Sequence, residues 1–159
     1  MSNNKTKQLL GYLSKEHSNA TVTVLMKLAY LTDLISTQRT GAKISSFDYQ
    51  RYHFGPFDQK IYTYLNELVA ENILIPNSEY TRSGGEAVIY RFNESKESDF
   101  VTGELNPTEI EIIDELLESV GGYGAKTLTQ IAYKTKPMQK IGATLGGSEN
   151  MGITLDLSI

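Results

Sequence analysis

The chain has no cysteine and no tryptophan, and only four prolines and two histidines. Without cysteine there can be no disulfide, no thiolate metal site and no cysteine nucleophile. The two histidines, His17 and His53, lie far apart in sequence and neither sits in a metal-ligand spacing. No apolar run approaches the ~18 residues needed to span a bilayer. The opening residues Met1-Ser2-Asn3-Asn4-Lys5 lack an apolar signal core, so the expected address is cytoplasmic and no membrane partner is expected. The carboxylates Glu111, Asp114, Glu115 and Glu118 recur at helical intervals without a histidine or a calcium-loop pattern, and read as an exposed acidic face. Gly121-Gly122-Tyr123-Gly124 is not followed by the Lys-Ser/Thr of a phosphate loop. The sequence therefore predicts a protein that is not an enzyme and carries no cofactor or metal.

What is present is the material of one domain. At 159 residues, 40% hydrophobic and 21% charged, the chain can bury a real core but is short for two ordinary domains. The net charge of −4 is unevenly laid out. Residues 1–93 carry ten basic and eight acidic side chains, whereas residues 94–118 carry nine acids against Lys96 alone. Residues 126–140 then hold four lysines and no acid. Such asymmetry can steer a charged partner, although charge runs more often solvate helix faces.

Hydrophobic spacing predicts a short helix over Thr6 to Lys15, through Leu9, Leu10 and Leu13. From Val22 to Ser36 apolar residues fill most of the helical circumference, which marks a central helix buried all round, closed near Gly41. Asp58 to Asn72 returns to helix. Ile73 to Tyr80 and Ala87 to Phe92 read as strands of a hairpin across Thr81-Arg82-Ser83-Gly84-Gly85-Glu86. Asn106-Pro107-Thr108-Glu109 has the cap oxygen, first-turn proline and returning carboxylate of a helix start, and Gly121-Gly122 its stop. Ala125 to Tyr133 and Pro137 to Leu145 complete the helices. The expected fold class is mainly α (α+β): a helical domain around a central apolar helix, with one small β-hairpin and a winged-helix-like middle. Residues 1–145 form the domain and 146–159 a Gly-rich tail.

Two stretches stand out. Lys27-Leu28-Ala29-Tyr30-Leu31-Thr32-Asp33 places Lys27 and Asp33, which are costly to bury unless paired, in the central helix. Some twenty residues later Tyr52-His53-Phe54-Gly55-Pro56-Phe57 crowds aromatics around a Gly-Pro turn, and Tyr62 follows on the next helix. His53 is expected to hold this turn through a backbone carbonyl.

The order helix, helix, hairpin between Lys43 and Phe92 suggests a second reading, a winged-helix transcriptional regulator with Asp58 to Asn72 reading DNA and Arg82 at the wing tip. Charge argues against it, because Lys60 stands against Asp58, Glu67 and Glu71 where phosphate contact needs a basic surface.

In order and spacing, the Lys-Leu-x-Tyr-x-x-Asp helix, the Phe54-Gly55-Pro56 corner, Ile61-Tyr62, the helix opening Leu105-Asn106-Pro107-Thr108-Glu109 and the segment Thr127 to Pro137 resemble the Panacea domain, the SocA-like or phage-associated GepA-like antitoxin family. The resemblance covers about residues 5–145. Members often carry Tyr where Phe54 stands, and Trp after the late proline where this chain has Met138. The resemblance implies a helical module that binds and neutralises a toxin encoded beside it, and the founding type also delivers its toxin to a cytoplasmic protease. The partner-binding residues expected on this basis are Lys27, Tyr30, Asp33, Tyr52, His53, Phe54, Gly55, Pro56, Phe57 and Tyr62.

Overall fold

The structure is a computed structural model and describes residues 2–80 and 84–159. The helices are α1 (Ser2–Glu16), α2 (Val22–Thr40), α3 (Lys60–Ala70), α4 (Pro107–Val120), α5 (Ala125–Tyr133) and α6 (Lys136–Lys140). The strands are β1 (Gln50–Tyr52), β2 (Gly55–Phe57), β3 (Leu74–Tyr80) and β4 (Glu86–Phe92), and they form two separate antiparallel pairs, β1 with β2 and β3 with β4. The fold is mixed α and β and mainly helical.

Helix α2 is the centre. Eleven consecutive residues, Val24 to Leu34, are buried. An ordinary surface helix buries one stripe, so burial all round requires neighbours on every side; here α1, α4, α5, β2 and β4 pack against it. The Thr21 hydroxyl caps its start by accepting from Val24 N at 3.2 Å. Gly41 ends it in the left-handed region at φ 83°, where a side chain would be strained. At α4 the full reciprocal cap predicted from sequence is present: Asn106 accepts from Glu109 N at 2.8 Å, and Glu109 accepts from Asn106 N at 2.9 Å.

The uneven charge is matched within the fold. Lys5 pairs with Glu109 (2.9 Å), Lys15 with Glu97 (3.0 Å) and Arg39 with Glu115 (2.5 Å), so bases from the first two helices meet the acidic stretch that follows β4. The acids of residues 94–118 are therefore partly neutralised across the fold as well as solvated.

The structure differs from the sequence reading at the aromatic corner. The Gly-Pro pair does not form the turn. It opens β2, and the turn is His53-Phe54, because Tyr52 stands opposite Gly55 and Arg51 opposite Pro56. Among the described residues there are two antiparallel strand pairs, not one. Proline lacks an N–H and so suits a strand edge, which is where Pro56 sits. The other edge of β1 is taken by the end of the chain: Arg51 N donates to Ile153 O (2.9 Å), Gly152 N to Arg51 O (2.7 Å) and Leu155 N to Tyr49 O (2.8 Å). Leu155 and Leu157 are buried in the main core. Residues 146–159 thus return to the domain. The expected wing is β3 and β4, following α3. Its tip, with Arg82, lies outside the described residues.

Candidate functional site

The β1–β2 hairpin is held from below by three groups. The Lys27 ammonium on α2 donates to Pro56 O at 3.1 Å. Tyr133 on α5 directs its hydroxyl at the carbonyls of Tyr52 (3.1 Å) and His53 (2.9 Å). Arg51, fully buried, donates from Nη1 to Tyr52 O (2.9 Å) and from Nη2 to Thr144 O (3.1 Å) and Gly147 O (2.9 Å), with its guanidinium 5.4 Å from the Tyr133 ring centre. Gly55 adopts φ 98°, and a Cβ there would lie 3.4 Å from Lys27 Cε and 3.6 Å from the Tyr133 ring. Those are ordinary contact distances, so it is the positive φ that calls for glycine here.

Above this floor the aromatic side chains turn outward. Phe54 is 68% exposed, Tyr62 48% and Tyr52 38%. Tyr52 and Phe57 meet edge to face at 5.9 Å, and Phe57 and Tyr62 lie 6.0 Å apart. Together with Val22, Thr23, Lys27, His53, Gly55 and Gln59 they line a groove of about 380 Å³. No carboxylate is among its lining residues.

Seven of the residues expected to bind a partner therefore converge on one groove: Lys27, Tyr52, His53, Phe54, Gly55, Phe57 and Tyr62. Pro56 is buried and contributes its carbonyl to Lys27. Tyr30 and Asp33 lie elsewhere. Tyr30 is fully buried, stacks edge-on against Tyr49 at 5.3 Å and bonds Thr135 Oγ1 at 2.7 Å. Asp33 is fully buried and its carboxylate accepts from Ile44 N (2.7 Å), Ser45 N (3.0 Å), Ser45 Oγ (2.5 Å) and Tyr49 Oη (2.6 Å). Burial pushes the Asp33 carboxyl up and these four donors pull it back. Asp33 fixes the segment that leads into β1 and does not reach the surface beside Lys27. The His53 ring is exposed and makes no hydrogen bond among the described residues; its backbone carbonyl, not its side chain, holds the turn.

Lys27 is the unusual group. Its side chain is 1% exposed, and no ion pair reaches it among the described residues. Loss of hydration pulls its ammonium down to about 7, so near neutrality it is divided between charged and neutral forms. Arg51 and Tyr133, which complete the floor, and the groove residues Val22, Thr23 and Gln59 were not singled out from sequence. A cue existed for Arg51, which directly precedes the aromatic run, but its tertiary partners Thr144 and Gly147 left none.

The α3 face bears on the DNA reading. Its cation Lys60 is engaged with Asp48 (3.4 Å) and Asp58 (3.5 Å), and Glu71 is engaged with Lys7. A phosphate-binding helix needs free cations.

The family model described as antitoxin SocA-like, Panacea domain, matches residues 25–137. The chain belongs to that family. Neither a curated protein nor a solved structure matches it. The matched region starts on α2 and ends on α6, and it contains every groove-lining residue except Val22 and Thr23. It is narrower than residues 5–145, leaving out α1, whose Leu9, Leu10 and Leu13 nevertheless belong to the same core. Among the described residues no group of histidine and acidic side chains could hold a metal, and no helix is long and apolar enough to cross a membrane.

Proposed function

We propose that this Panacea-domain protein is a non-catalytic, cytoplasmic antitoxin that neutralises a toxin encoded beside it by binding it at the Tyr52–Phe57 groove. The observation that carries the reading is the exposure of Phe54, Tyr62 and Tyr52 on a hairpin pinned by Lys27, Tyr133 and Arg51. Aromatics are the strongest interface anchors because they bury a large area for little lost freedom. A prepinned hairpin lowers the ordering cost of association. Exposed aromatics on a rigid element contribute little to the monomer's own core, which favours a binding role over a packing one.

The test is co-expression with the product of the adjacent reading frame, scoring growth and co-purification together. The reading expects toxicity from the neighbour alone, growth restored by this chain, and a stable complex. A harmless neighbour that does not co-purify overturns it.

A further inference from the structure

The groove is apolar at its walls and cationic at its floor. Lysine has three N–H donors, and Lys27 spends one on Pro56 O, with no carboxylate paired to it among the described residues. Arg51, behind the same hairpin, is also buried and bonds carbonyls where a carboxylate would be its usual partner. Glu149, on the returning segment, accepts from Thr144 Oγ1 (3.2 Å) and forms no ion pair with Arg51 among the described residues. The segment packed behind β2 continues the trend: Lys126, Lys134, Lys136 and Lys140 are exposed, with no acid from residue 125 to 140. Asp58, which directly follows the hairpin, is tied to Asp48 N (2.7 Å) and Lys60 N (2.9 Å).

A buried cation without a counterion is an expensive arrangement in a folded chain. It becomes favourable when a docked partner supplies the anion and covers the groove from water, where charge-assisted bonds are strong. We propose that the groove takes a partner segment that presents a carboxylate, from Asp, Glu or a chain terminus, next to an aromatic or large aliphatic side chain. The carboxylate meets the Lys27 ammonium, and the apolar neighbour packs among Tyr52, Phe54 and Tyr62. This inference rests on the groove being the docking surface proposed above, and it names the chemistry of the docked segment.

The test is selection of short random peptides displayed on phage against the full-length protein, followed by calorimetry on the synthetic winners. Enriched peptides should pair an acid with an aromatic or leucine, and changing that acid from Glu to Gln should weaken binding at least ten-fold on wild-type protein. On Lys27→Met protein the Glu and Gln peptides should bind equally. On Tyr80→Ala protein, altered outside the groove lining, the difference should persist. Enrichment of uncharged or basic peptides, a Glu-to-Gln difference that survives Lys27→Met, or no enrichment at all overturns the proposal. The Glu-to-Gln comparison needs no variant, so it stands whether or not a substitution disturbs folding. Growth rescue separates the two levels: rescue that depends on Phe54, with selected peptides lacking acids, leaves the docking surface and removes the carboxylate.

Discussion

Replacing Lys27 with Met should make the folded protein more stable. Lowering the ammonium from 10.5 to about 7 corresponds to roughly 5 kcal/mol of disfavoured charge, at 1.36 kcal/mol per unit. Against this, Met cannot donate to Pro56 O, and leaving that buried carbonyl unpaired costs about 1–3 kcal/mol. Met has a similar unbranched stem, so packing is largely kept. The net expectation is a gain of about 2 kcal/mol at pH 7, or roughly 4–8 °C in Tm for a chain of this size. The pH dependence has a definite sign. Between about pH 7 and 10.5 the unfolded lysine holds a proton that the folded one has released, so the wild type gains stability as pH rises through that window. Below about 7 both states are protonated and the cost is present in full. The advantage of Lys27→Met should therefore shrink by ~2 kcal/mol between pH 7 and pH 9. Urea unfolding of both proteins at the two pH values measures this directly. A variant destabilised by more than about 1 kcal/mol at pH 7, with the same pH profile as wild type, would refute the argument. A group retained at such a cost to stability points to a use outside folding.

Three further substitutions probe the fold that carries the groove, two beside it and one on α1. Asp33→Ala removes four hydrogen bonds from a buried carboxylate and strands their donors; it should cost about 3–5 kcal/mol in urea unfolding, and a loss below about 1 kcal/mol would show that the 44–49 segment is held otherwise. Arg51→Met frees the carbonyls of Thr144 and Gly147, and should speed hydrogen exchange at Gly152, Ile153 and Leu155 more than at α2; unchanged exchange there would show that the tail docks without it. Gly11→Ala sets two effects against each other: alanine favours helix by about 1 kcal/mol, but its Cβ would lie 2.6 Å from the Phe100 ring, and crowding costs about 1–3 kcal/mol. A net loss near 1 kcal/mol is expected, and a clear gain would mean that Phe100 moves aside freely.

The parts of the fold that rest on local chemistry were legible in the sequence. The all-round apolar pattern of Val22 to Ser36 located the buried helix, and Asn106, Pro107 and Glu109 announced the start of α4 down to its reciprocal cap. Gly41 marked the end of α2 by its left-handed angle. Long-range pairing was less visible. Gly55-Pro56 reads as a turn when taken alone, and only the pairing of Tyr52 with Gly55 moves the turn to His53-Phe54. Residues 146–159 have no apolar period, because their order comes from bonds to Tyr49 and Arg51 and from two isolated leucines, Leu155 and Leu157. The aromatics that stand out in the sequence line the groove, yet one pattern concealed two positions in the fold. Lys27 and Asp33 stand in one helical motif as two charges, but α2 turns Lys27 to the groove and Asp33 to the 44–49 segment. Residue type alone could not assign them.

The central claim is that the groove is the surface that meets the toxin. The most direct measurement compares growth rescue by Phe54→Ala with rescue by Tyr80→Ala, in cells expressing the neighbouring gene product and at matched levels of folded protein. Phe54 is exposed within the groove, and Tyr80, 87% exposed at the end of β3, lies outside its lining. The account predicts that Phe54→Ala abolishes rescue while Tyr80→Ala retains it. Equal rescue by both would contradict it and place the interface elsewhere on the domain.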